Sequence, residues 1–91
     1  MTNSLSMVNA IEPIVKTILE EWQQTYPLKC ACDQCKLDIL VIALNHLQPK
    51  YVTSKAGEVY IKTLLLNNQL RSDVVRELTK AAAVVGQNPR H

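Results

Sequence analysis

The sequence predicts an all-α domain of four to five helices. Three observations carry this: apolar residues recur at helical spacing along most of the chain, Pro27, Pro49 and Pro89 stand where those patterns end, and the one run that would suit a buried strand, ILVIAL, has no second such run to pair with. With 91 residues there is room for a single domain with one core, residues 1–91. Folding a chain of this mass removes roughly 9,500 Å² from water, about 64% of the extended surface, which leaves a modest stability margin. A metal staple or a subunit interface would supplement it.

Residues 1–7, MTNSLSM, are polar and expected to fray. Ile14, Ile18, Leu19 and Trp22 then recur at helical spacing, with Lys16, Glu20, Glu21 and Gln24 between them. Pro13 fits best in a first turn, so the regular helix is expected from Glu12 after a looser turn at Val8, with Pro27 as its stop. Residues 28–35, LKCACDQC, have no period and read as a loop. From Lys36 to Leu47 the pattern is apolar on nearly all sides, which predicts a central helix surrounded by others.

Pro49 ends that helix and biases Gln48 to Thr53 toward extended backbone. Thr53 or Ser54 can cap the next helix, along which Val59, Tyr60, Leu64 and Leu66 are expected to face inward. Gly57, in its early turns, leaves room for another backbone to approach. Asn67 and Asn68 weaken the period, and Ser72 with Asp73 reads as a fresh cap. The last helix places Val74, Val75, Leu78, Ala81, Ala82 and Val85 on one face, with Gly86 expected to close it in the left-handed conformation before Pro89.

Ten Lys and Arg against eight Asp and Glu give a net charge of +2, too weak for non-specific duplex binding. The charge is uneven. Residues 1–45 hold three bases and five acids, while residues 46–91 hold seven bases and three acids, so an anionic ligand would find its partners in the second half. No signal peptide and no apolar stretch of membrane-spanning length are evident, and the expectation is a cytoplasmic protein.

Cys30, Cys32 and Cys35 form a C-x-C-x2-C cluster on the loop feeding the central helix. Three thiolates so close can converge on one zinc ion, since each needs only a bond of about 2.3 Å and a tight turn supplies three corners of a tetrahedron. The fourth corner is open: His46 is about three helical turns away, whereas His91, Asp33, water or a second subunit remain candidates. Reduced thiols that merely pack are the plain alternative, and a redox pair at Cys32 and Cys35 lacks the strand-rich scaffold such pairs use.

Asp38 and Asn45 interrupt a helix that otherwise reads as core, and their separation of seven puts them on one face. A buried carboxylate needs a base, the metal loop or a ligand pocket. Lys50 and Tyr51 follow in the extended stretch, a cation and a ring that suit a phosphorylated planar ligand, although such a tyrosine is more commonly a core residue with its hydroxyl at the surface. No nucleophile, base and acid set or phosphate-cradling glycine loop can be assigned, so a binding protein rather than an enzyme is expected.

The segment CACDQC, followed by KLDILVIALNHLQPKYVTSKAGEVY and the terminal PRH, resembles the ComFB family of late competence development proteins over nearly the whole chain from Val8. The resemblance implies an all-helical homodimer with zinc held by Cys30, Cys32 and Cys35. PRH is similar to the cyanobacterial branch, which implies a receptor for cyclic di-GMP, with cyclic di-AMP as the related ligand, acting on a downstream protein. On that basis Lys36, Asp38, Asn45, Lys50, Tyr51, Lys55 and Arg90 are the candidate ligand residues. The competing reading is a zinc-stabilised interaction module linked to competence.

Overall fold

The computed structural model describes residues 6–26, 28 and 32–87, with the backbone alone at 54–56. The elements run β1 (Met7–Asn9), α1 (Ile11–Trp22), α2 (Asp33–Asn45), β2 (Tyr51–Thr53), α3 (Ser54–Leu65) and α4 (Asn68–Gln87). Among the described residues four helices meet the all-α expectation, with one addition. The stretch that Pro49 makes extended has found a partner: β1 and β2 pair antiparallel, with Met7 opposite Thr53, Val8 opposite Val52 and Asn9 opposite Tyr51. Met7 is therefore held in a ribbon rather than frayed; residues 1–5 lie outside the described residues.

Asn9 joins this ribbon to the first helix. Its side-chain oxygen accepts from the Lys50 amide at 2.8 Å and from the Ile11 amide at 3.3 Å, while the Ala10 amide donates to the Lys50 carbonyl at 2.7 Å. One amide at the helix start and one on the facing segment are thus satisfied by a single side chain. Asn9→Ala is expected to lower unfolding free energy by about 1–2 kcal/mol, read as a shifted urea midpoint with an unchanged slope.

The core forms where three helices meet. Ile11, Ile14, Val15, Ile18 and Leu19 of α1 are buried at the spacing of one helix face, and Val74, Leu78, Ala81 and Val85 of α4 do the same. Cys35, Ile39, Leu40 and Ala43 complete the core from α2, on which α4 packs most extensively. Trp22 is half-buried and stacks on Tyr26 with ring centroids 4.5 Å apart as α1 ends.

Several local expectations are corrected. Helix α4 begins at Asn68, because Asn67 takes the capping role assigned to Ser72 and Asp73: its side-chain oxygen accepts from the Leu70 amide at 2.9 Å. Gly86 lies inside α4, which runs on to Gln87, and no described glycine has positive φ. A glycine near a helix end weakens it by only about 1 kcal/mol, too little to force a stop. Val59 and Leu66 do not face inward but stand 72% and 83% exposed, and Tyr60 is also exposed. Helix α3 docks instead through Gly57, Ile61, Leu64 and Leu65. What approaches Gly57 is side chain, not backbone: a Cβ there would lie 3.3 Å from Val52 Cγ2 and 3.7 Å from Val8 Cγ2.

The largest correction concerns α2. It is not surrounded: Leu37 and Val41 are 55% and 49% exposed, so an apolar strip of this helix faces outward.

Candidate functional site

Successive residues of a helix turn by about 100°, which sorts α2 into two sides. Cys35, Ile39 and Ala43 point to the core, while Leu37 and Val41 face away, with half-buried Leu44 at the margin. Asp38 and Asn45 run beside this strip, as their spacing of seven requires. Asp38 Oδ1 accepts from Gln34 Nε2 at 3.0 Å. Its Oδ2 is shielded from solvent and accepts no hydrogen bond among the described residues. Of the three alternatives for this carboxylate, the base is not found: Asp38 forms no ion pair with Lys or Arg among the described residues. A carboxylate oxygen withdrawn from water without a donor is costly, and a donor brought by another molecule would relieve it.

Lys50 and Tyr51 follow α2 on the segment tied down by Asn9. Lys50 is half-buried and Tyr51 is 60% exposed, so its ring is available for stacking rather than sunk in the core. Lys36 is not brought together with Asp38. It turns about 200° away from it around α2 and lines a hollow of about 230 Å³ between α1 and α2, with Lys16, Glu20 and Asp33. The side chain of Lys55 and all of Arg90 lie outside the described residues, as does Cys30.

At the start of α2, Cys32 is the cap. Its backbone is extended, and its sulfur accepts from the Cys35 amide at 3.4 Å, so the two cysteines bracket the first turn with Cys35 inside the core. A Cys-x-x-Cys turn of this kind is a common half-site for zinc. Among the described residues no group of three His, Cys, Asp or Glu is placed to hold an ion.

The structure adds a cleft that sequence reasoning missed. About 200 Å³ in volume, it is lined by His46, Leu47, Gln48 and Lys50 after α2, by Leu70, Asp73 and Arg76 of α4, and by Ile11. Asp73 had been read only as a cap, Arg76 not at all, and His46 only as too distant from the cysteines. One signal was present: Asp73 and Arg76 are three apart, the spacing of an ion pair on one helix face, and the structure forms that pair at 3.2 Å. Among the described residues no helix is long and apolar enough to cross a membrane.

A sequence model of the family described as late competence development protein ComFB matches residues 8–89. The competence protein ComFB of Bacillus subtilis strain 168 is 31% identical over 83 residues, which span 91% of this chain and 85% of that protein. The solved structure of the late competence protein ComFB from Bacillus subtilis superposes with a TM-score of 0.81, at 31% identity and over 92% of both chains. A family match over nearly the full length, a relative of this identity and a shared helical fold agree, and the chain belongs to the ComFB family.

Proposed function

We propose that this protein is a non-enzymatic, intracellular receptor for a cyclic dinucleotide, cyclic di-GMP above cyclic di-AMP, acting as a homodimer on a downstream protein. The observation that carries the reading is the solvent-shielded Asp38 Oδ2, lacking a hydrogen bond among the described residues, beside an apolar strip that one protomer leaves uncovered. A two-fold dimer can cover Leu37 and Val41 with their own symmetry copies and present Asp38 and Asn45 twice along the seam. Cyclic di-GMP is itself two-fold. Its guanine N–H groups supply the donors a carboxylate accepts, its bases stack on a ring such as Tyr51, and its phosphates call for cations such as Lys50.

Zinc belongs to the proposal as a staple at the N-terminus of α2, with Cys32 and Cys35 as two of its donors and Cys30 as the third. Bound there, the ion would fix the turn that starts the helix. Metal analysis of the purified protein, followed by chelation, tests it: an equimolar metal content and a lower melting temperature on chelation are expected, and a metal-free protein with the same melting temperature removes zinc.

Calorimetric titration with cyclic di-GMP and cyclic di-AMP tests the receptor reading. Lys50→Ala and Tyr51→Ala are each expected to weaken cyclic di-GMP binding by about tenfold or more, with circular dichroism unchanged. Absence of both heat and thermal stabilisation at high micromolar ligand would rule the receptor out and leave the interaction module.

A further inference from the structure

The cleft between the end of α2 and the first turns of α4 is lined by two bases, Lys50 and Arg76, and one acid, Asp73. Lys50 is half-buried and enters no ion pair among the described residues. Arg76 is committed on one side only: its Nη1 donates to Asp73 Oδ1 at 3.2 Å and its Nε lies 3.7 Å from Glu77 Oε2, while Nη2 has no such partner among the described residues. Asp73 is steadied from its other side by Gln69 Nε2 at 3.0 Å. His46 Nδ1 sits 2.8 Å from the Ile42 carbonyl, which can only accept, so Nδ1 carries a hydrogen and Nε2 is the ring's other polar edge.

We infer that this cleft is a phosphate-accepting subsite, in which Arg76 Nη2 and the Lys50 ammonium hold one phosphate of a nucleotide and Asp73 positions the guanidinium. Three features support this. With Nη1 on Asp73 and Nε near Glu77, Arg76 Nη2 is the guanidinium nitrogen left to donate to a phosphate oxygen, and Asp73 steadies the group from the other side. Lys50, a half-buried residue, has no acidic partner among the described residues, and a phosphate would supply one. The volume is below the roughly 300 Å³ at which sites take a whole drug-sized ligand, so the cleft suits one phosphate and its sugar, not an entire dinucleotide. Each protomer would then hold one end of a two-fold ligand, with Tyr51 next in sequence to Lys50 as the stacking ring. The identity of the ligand rests on the receptor reading, but the preference for phosphate does not.

The test combines calorimetry with heteronuclear NMR of the full chain. Arg76→Ala is expected to weaken cyclic di-GMP binding by about tenfold or more, Arg76→Lys by less because a charge remains, and Asp73→Ala to weaken the response to inorganic phosphate by releasing the guanidinium that Asp73 positions. In the unmodified protein, millimolar inorganic phosphate or guanosine monophosphate should shift the signals of His46, Lys50 and Arg76 before others. Cyclic di-GMP binding of equal strength in the folded Arg76→Ala protein overturns the subsite and leaves the receptor reading standing. Shifts with phosphate but no binding of cyclic di-GMP leave the subsite standing and remove the receptor. Absence of both removes both.

Discussion

Truncating Leu78 to alanine should lower the unfolding free energy by about 3–4 kcal/mol, within the range of about 2–5 for buried leucines. A value well clear of the lower end of that range is expected because Leu78 is fully buried on α4, the helix that packs on both α2 and α1. A cavity walled on two sides by helices relaxes little. At about 0.05–0.15 kcal/mol per residue, a domain of this length holds roughly 5–14 kcal/mol, so the loss removes about a fifth or more of it. Thermal melting should report a midpoint lower by roughly 15 °C or more. An unchanged midpoint would mean that the α2–α4 contact is not the centre of the core.

The second large effect is expected at the outward strip of α2. If the proposed two-fold seam runs along this strip, Leu37→Glu combined with Val41→Glu would place four carboxylates across it, where like charges repel and each substitution counts twice. Self-association is expected to weaken by at least about 100-fold, measured by sedimentation or light scattering. The isolated fold should be nearly indifferent, since both side chains already stand about half in water and exposed substitutions typically stay within about 0.5 kcal/mol. A variant that sediments as the parent does would place the seam elsewhere and withdraw the two-fold presentation of Asp38.

Much of the fold was legible because the inner faces of α1 and α4 repeat cleanly. Ile14, Ile18 and Leu19, and Val74, Leu78 and Ala81, lie where their spacing puts them. The extended stretch after α2 followed from Pro49 alone, but its partner did not, because three residues of ribbon carry no alternation to read. Helix α3 misled because it is apolar on two sides. Val59 and Leu66 share one, Gly57, Ile61 and Leu64 the other, and packing on the ribbon, α1 and α4 decides which is covered. For α2 the all-round apolar pattern was read as burial by the chain's own helices, whereas one side is left outward. The positions of Asp38 and Asn45 on a common face were readable from spacing; the meeting of Lys50 with Arg76 and Asp73 was not, since it depends on how α4 crosses the end of α2.

The clamp at Asn9 gives the ribbon a mechanical meaning. One amide group holds both the threshold of the first helix and the backbone of Lys50, so β1, the start of α1 and the segment bearing Lys50 and Tyr51 are pinned at one point. A displacement of that segment would therefore strain the start of α1 through the same side chain.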